Sequence, residues 1–108
     1  MPLVVVNHQS MTILTGVSTS NAIADFDDAY GLTVYSPATV TATGVNVEVC
    51  PSSSGTDFVA LQSGGSDVVL PASRATVISP VPFKQMRITS PAVEGQNDVF
   101  TVTRVIVV

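Results

Sequence analysis

Three acidic side chains close together are the first residues in this chain that could do chemistry. Asp25, Asp27 and Asp28 lie within one short segment, and carboxylate oxygens are ligands that calcium prefers. Counted from Asp25, the EF-hand pattern needs glycine and glutamate where this sequence has Tyr30 and Ser36. Aspartate is also a common turn residue, because its carboxylate bonds to nearby backbone. The sequence therefore favours a turn over a metal site, and we expect no bound metal and no cofactor.

Residues for nucleophilic catalysis are scarce. A Ser-His-Asp triad would depend on His8, the single histidine of the chain. No Gly-x-Ser-x-Gly segment presents a serine on a turn between strand and helix. One cysteine and one histidine do not complete a tetrahedral zinc site. Cys50 is interpreted as a small buried hydrophobic residue on a strand. We therefore expect no catalytic residues and a non-enzymatic protein.

The charged residues are unevenly distributed along the chain. Residues 1–73 contain six acidic and no basic side chains, giving −6, and residues 74–108 contain four basic and two acidic ones, giving +2. The sum is the net charge of −4, which is unfavourable for a protein that binds nucleic acid through its phosphates. Two interpretations remain open. The halves attract each other within one fold, or an acidic surface of one copy faces a basic surface of its neighbour.

The arginines are candidate contact residues because the planar guanidinium suits carboxylates. Arg87 and Arg104 could lie at a subunit contact, with Glu48 or the segment 25–28 opposite, or they could be ordinary solvent-facing residues. We retain the following polar residues as candidates for subunit or capsid contact: Arg74, Arg87, Arg104, Asp25, Asp27 and Asp28.

The amino-acid composition limits which kinds of secondary structure can hold these residues. Valine, threonine and serine supply 20, 12 and 12 of the 108 residues. Charged residues make up 11%, against roughly 25% in an average domain. Helix-forming residues are scarce, which argues against a helical bundle. The 45% of hydrophobic residues argues against a disordered chain. No apolar run approaches the ~20 residues of a membrane-spanning helix, and we expect no membrane contact.

Short β-like runs separated by prolines and glycines fill the chain. The clearest is residues 45–49, in which valines alternate with Asn46 and Glu48 and therefore share one face. Residues 20–24 could form one helical turn, and Phe26, Phe58, Phe83 and Phe100 are the expected core anchors. The pattern predicts an all-β fold, a single antiparallel β-sandwich or small jelly-roll-like barrel of about eight short strands. The predicted runs are residues 11–17, 32–35, 45–49, 58–61, 68–70, 74–78, 83–89 and 99–108.

The first ten residues are predicted to be separate from the sandwich domain of residues 11–108. An apolar run, Leu3, Val4, Val5 and Val6, is followed by the polar residues 7–10. We expect such a chain end to order only on a partner. These four apolar residues join the candidate contact residues.

One stretch resembles known proteins. It runs Phe58-Val59-Ala60-Leu61, a glycine turn, Val68-Val69-Leu70-Pro71-Ala72, Phe83-Lys84-Gln85-Met86-Arg87-Ile88 and Val99-Phe100-Thr101-Val102. This order is similar to that of small virion proteins of tailed bacteriophages, and size and composition are most like those of capsid decoration (cement) proteins. The resemblance implies a structural protein of the virion, assembled in the host cytoplasm, in which residues 1–10 could be an extended N-terminal arm that lies on the shell. It also implies the major capsid protein or another virion protein as partner, and a homo-oligomer, with a trimer favoured.

Two other functions stay open. The chain could be a head-completion or tail protein of the virion. It could also be a carbohydrate-binding β-sandwich on a host-facing appendage, although it has no tryptophan, and Tyr30 and Tyr35 are its only tyrosines.

Overall fold

A computed structural model describes residues 3–24, 26 and 29–107 of the chain, and the side chains of residues 3–8 and 107 lie outside the description. The described residues form strands, turns and loops, with no helix; none of them therefore belongs to a helix that could cross a membrane. The strands are antiparallel, which confirms the predicted all-β fold. They are β1 (Leu3–Ile13), β2 (Ala29–Tyr35), β3 (Val45–Cys50), β4 (Val59–Ala60), β5 (Gln62–Ser63), β6 (Ser66–Asp67), β7 (Val69–Leu70), β8 (Ala75–Ile78), β9 (Gln85–Thr89) and β10 (Asp98–Val107).

The first sheet has four strands in the order β1-β10-β2-β8. The long strand β10 lies inside it and pairs with β1 from Leu3↔Val107 to Ile13↔Asp98. Successive side chains on a strand point to opposite faces, and one face of this sheet carries large apolar residues. These inward residues are buried: Met11, Ile13, Leu32, Val34, Ile78, Phe100 and Val102.

The second sheet is built around β3. β9 pairs with β3 from Asn46 to Cys50, whereas β7 and β4 pair with different parts of it, at Val45–Asn46 and at Glu48–Val49. Between them, Leu61 N donates to Val47 O at 2.9 Å and Val47 N donates to Val68 O at 3.3 Å. β4 and β7 are therefore two parts of one edge strand, on the side of β3 opposite β9.

The hairpin β5–β6 is an insertion in that edge strand. Gln62 faces Asp67 and Ser63 faces Ser66, and the turn between them is Gly64-Gly65. Both glycines have positive φ, 63° and 84°, as two-residue hairpin turns with two left-handed residues require. This confirms the glycine turn expected from the sequence.

The core lies between the two sheets. Phe26, Phe83 and Phe100 are buried, and the rings of Phe26 and Phe83 meet edge to face with centroids 5.6 Å apart. Phe58 is half-exposed. The expectation that it anchors the core is wrong, because its ring lies under the guanidinium of Arg87 instead.

The N-terminal residues differ from the extended arm expected for residues 1–10. Residues 3–10 form most of β1, which starts earlier than the run expected from residue 11 and ends at Ile13. Val4 and Val5 pair with Ile106 and Val105 of β10. β-branched residues suit a strand, and the aliphatic end of β10 supplies their partner. Residue 10 is therefore not a structural boundary.

Residues 18–24 close one side of the sandwich. Ile23 pairs with Met86 on the free side of β9. Ile23 N donates to Met86 O at 2.8 Å, and Met86 N donates to Ile23 O at 2.9 Å. Asn21 accepts from Thr12 N at 2.8 Å and donates to Ser10 O at 3.1 Å, on the free side of β1. The sequence allows one helical turn over residues 20–24, but the structure shows an extended segment. It is extended because its hydrogen bonds go to both sheets.

Candidate interaction surface

The outward face of the first sheet carries no charge among the described side chains at the positions that alternate with the core. We call these positions the outer face. They form rows across the strands, because Thr101 of β10 lies opposite Ser10 and Tyr35, and Thr33 of β2 lies opposite Thr103 and Val77. The outer face consists of Ser10, Thr12, Thr33, Tyr35, Ala75, Val77, Val99, Thr101 and Thr103.

This face is mostly open to solvent. Tyr35 and Val99 are exposed large apolar side chains, and Val77 is 71% exposed. Thr103, at 6% exposed, is covered by its neighbours. Removing water from hydroxyl and aliphatic groups costs less free energy than removing it from charges when the hydroxyls find new hydrogen-bond partners. The outer face can therefore take part in a broad neutral contact.

The edge strand β8 borders a cleft of about 190 Å³. The cleft separates β8 from the base of the β5–β6 hairpin, so it lies on the side of the sandwich opposite residues 18–24. Its apolar lining comes from both sheets and from the turn after β8: Leu61, Val68, Val77, Ile78, Pro80 and Pro82. The peptide bond between Ser79 and Pro80 is cis.

The structure brings one predicted pair together within the chain. Arg87 of β9 lies directly opposite Glu48 of β3, and Arg87 Nε is 2.7 Å from Glu48 Oε1. The guanidinium carbon also lies 4.2 Å from the centroid of the Phe58 ring. Glu48, one of the two partners considered for Arg87, is therefore in contact with it within the chain. A role of Arg87 in a subunit contact stays a prediction.

The other two candidate arginines lie on or beside different strands of the first sheet. Arg74 is exposed just before β8, where its Nη1 donates to the carbonyl of Ser73 at 3.2 Å. Arg104 is half-buried on β10, opposite Leu32. The backbone of residues 3–6 belongs to β1, and their side chains lie outside the described part of the chain. The candidate residues Asp25, Asp27 and Asp28 also lie outside the described residues.

Two buried carboxyl groups form a pair that the sequence reading did not single out. Glu94 is 1% exposed and Asp98 is fully buried. The Glu94 carboxylate accepts from Thr41 N at 2.9 Å and from the Thr41 hydroxyl at 3.0 Å. Within the described part of the chain, neither oxygen of Asp98 has a well-aligned hydrogen-bond donor. Strand alternation could have revealed this side chain, since Asp98 shares a face with Phe100 and Val102.

The two acids ionise differently. Hydrogen bonds from Thr41 N–H and from Asp98 lower the pKa of Glu94. Burial raises the pKa of Asp98, the neighbouring charge of Glu94 raises it further, and the Thr39 hydroxyl lowers it only in part. A proton on Asp98, donated toward an ionised Glu94, therefore satisfies both groups. Because neither side chain reaches solvent, the pair is not placed to act on a substrate.

No cluster of three or more histidine, cysteine or acidic side chains that could hold a metal ion occurs among the described residues. Cys50 is buried, as its interpretation as a small hydrophobic residue requires, and its Sγ is 3.8 Å from the Ser52 hydroxyl.

No protein-family model matches the chain, and no curated protein matches it. The crystal structure of the SPBc2 prophage-derived protein YomS is similar, with a TM-score of 0.63 and 16% identity over 91% of this chain and 93% of that chain. A structure described as Bacillus endospore appendages that form a family of disulfide-linked pili has a TM-score of 0.49 and 12% identity over 97% and 89% of the two chains. The likeness to YomS shows that the two chains share a fold over almost their whole lengths.

Proposed function

We propose that this chain is a non-enzymatic structural protein of a bacteriophage particle, and specifically a capsid decoration protein that binds the lattice of the major capsid protein through its outer face. The observation that carries the proposal is the uncharged, solvent-open outer face of the first sheet. Its central strand β10 places Thr101 between Ser10 of β1 and Tyr35 of β2.

A capsid lattice is a suitable partner for such a face. A protein that binds only the assembled shell stabilises that state over its free subunits. Repeated sites on one particle also add their weak affinities. A neutral contact avoids the cost of burying unpaired charges, because the outer face has none to bury.

Two further observations support a phage particle over other settings. The fold is shared with a prophage-derived protein, and the stretch from Phe58 to Val102 resembles small virion proteins. The buried pair of Glu94 and Asp98 and the dispersed arginines give no reason to assign catalysis. A homo-oligomer on the shell remains part of the proposal.

Co-sedimentation with shells tests the proposal. Expanded shells of the phage whose genome encodes this chain, lacking the chain itself, would be mixed with purified protein and pelleted. We expect the wild type to pellet with the shells. Thr101→Lys is expected to lower the affinity by about tenfold or more, because it buries an unpaired ammonium. Val59→Lys, on the exposed strand β4, is the matched control and should bind as the wild type does.

The salt dependence is a second readout. Binding through an uncharged face should change little when the salt is raised to about 1 M, where the Debye length is ~3 Å. A wild type that stays in the supernatant, or equal loss of binding in both lysine variants, would contradict the outer face as the capsid contact. Binding confined to one vertex or to tails would favour the head-completion or tail alternative.

A further inference from the structure

The edge of the first sheet at β8 differs from the other strand edges. The free sides of β1 and β9 are covered by residues 18–24 through Asn21 and Ile23. The edge strand of the second sheet is interrupted by the β5–β6 hairpin. β8 pairs with β2 on one side, and among the described strands none pairs with its other side.

The backbone of β8 has groups ready for another strand. Ser36 N donates to Arg74 O at 2.8 Å, and antiparallel strands exchange such bonds at every second residue. Thr76 and Ile78 therefore bond toward β2, whereas Ala75 and Val77 direct their N–H and C=O groups away from it. β8 itself, Ala-Thr-Val-Ile, carries no charge that would discourage pairing.

The charges beside β8 indicate which chain fits this edge. Arg74 is exposed at the start of β8. Asp67 is exposed and accepts a 3.0 Å hydrogen bond from Gln62, which lines the cleft together with Val77 and Ile78 at the end of β8. A second β8 running antiparallel would bring its first residues beside the last residues of this one. Its arginine would then approach Asp67, and the twofold symmetry would repeat the contact.

We propose that β8 pairs with β8 of a second copy of this chain, antiparallel and around a twofold axis at Thr76. In this register Ala75 of each copy pairs with Val77 of the other, and Arg74 of each copy lies at the cleft of the other, opposite Asp67. The contact uses the same surface on both copies, so it gives a closed dimer. It joins the two first sheets into one continuous sheet, and it is independent of the proposed binding to capsids.

The oligomeric state of the isolated full chain tests the proposal. Sedimentation equilibrium over a range of concentrations is expected to give a dimer of the 11.2 kDa chain. Arg74→Glu and Asp67→Arg should each weaken the dimer by about tenfold or more, since each places like charges together. The double variant with both changes restores opposite charges and should recover the dimer. Asp57→Arg, in the loop before β4, changes the net charge as Asp67→Arg does and should leave the dimer intact.

A cysteine at the axis tests the register. Thr76→Cys is expected to form a disulfide-linked dimer under mild oxidation, whereas Ala92→Cys, in an exposed loop, is not. Circular dichroism of every variant at matched temperatures confirms that each is folded. A wild type that is monomeric at all concentrations, a trimeric mass, or a dimer unaffected by both single charge reversals would overturn the proposal.

Discussion

Arg87 and Glu48 are paired on facing positions of two neighbouring strands, with Nε and Oε1 2.7 Å apart. The same guanidinium covers the ring of Phe58. The Arg87 side chain therefore connects β9 to β3 and to the loop before β4. About a third of the Arg87 side chain remains exposed, 33% against 25% for Glu48, so solvent weakens the attraction.

We expect a double-mutant cycle of Glu48→Gln and Arg87→Met to give a coupling energy of roughly 0.5–1 kcal/mol in the free energy of unfolding. Arg87→Lys should recover only part of the stability lost in Arg87→Met. A lysine ammonium does not reproduce both the flat contact with Phe58 and the Nε bond. Urea unfolding measures each value, and a coupling near zero would show that the pair does not stabilise the fold.

The buried acids predict opposite effects of two amide substitutions. Glu94→Gln should lower the free energy of unfolding by about 1–3 kcal/mol, because its NH₂ group cannot accept one of the hydrogen bonds that the carboxylate receives from Thr41 and Asp98. Asp98→Asn should cost much less at neutral pH, since its amide can donate to Glu94 as the protonated carboxyl does. Equal losses in the two variants, measured by chemical unfolding, would contradict the assignment of the proton to Asp98.

The pH dependence of stability follows from the raised pKa of Asp98. A carboxyl whose pKa is higher in the folded state than in the unfolded state binds more protons when folded. Its contribution is present below the ordinary pKa of 3.8 and is lost as pH rises through the folded pKa. The stability of Asp98→Asn relative to the wild type should therefore increase with rising pH and then level off. A constant difference across the titration would contradict the shift.

The lowered pKa of Glu94 acts in the opposite direction. Its stabilising contribution is present above the ordinary pKa of 4.5 and is lost as pH falls through the lower folded value. Glu94→Gln should accordingly reduce the acid sensitivity of the fold, and unfolding curves of this variant and the wild type below pH 4.5 measure the difference. An unchanged acid limb would contradict this role.

Asn21 is predicted to hold the closed side of the sandwich. Asn21→Ala removes the acceptor of Thr12 N and the donor to Ser10 O. We expect a loss of about 1 kcal/mol and faster hydrogen exchange at the Thr12 amide, because that N–H opens to water. Asn46→Ala, on β3, is the control and should leave exchange at Thr12 unchanged. Unchanged exchange in both variants would show that Thr12 is protected in another way.

Patterns of neighbouring residues in the sequence were sufficient to predict part of this fold. The alternation around Asn46 and Glu48 predicted which face of β3 is buried, and Val45 and Val47 are buried in the structure. Two adjacent glycines predicted the turn at Gly64. These features depend only on neighbouring residues, which a sequence reading can evaluate.

The other features of the fold depend on contacts between residues that are far apart in the sequence. The apolar run of residues 3–6 could be an arm or a strand, and only its pairing with the far end of β10 makes it a strand. The sequence offers Glu48 as one partner of Arg87, and the register of β3 against β9 places the two residues opposite each other. Asp98 lies just before the predicted strand of residues 99–108, and its inward position depends on where β10 begins.

A density map of the mature particle tests the central proposal most directly. It would come from the phage whose genome encodes this chain, with the protein fitted as a rigid body. We expect copies across the capsid lattice, each with Thr101 and the rest of the outer face against the major capsid protein. A particle that lacks the chain, or one that holds it with the outer face turned to solvent, would overturn the proposed capsid binding.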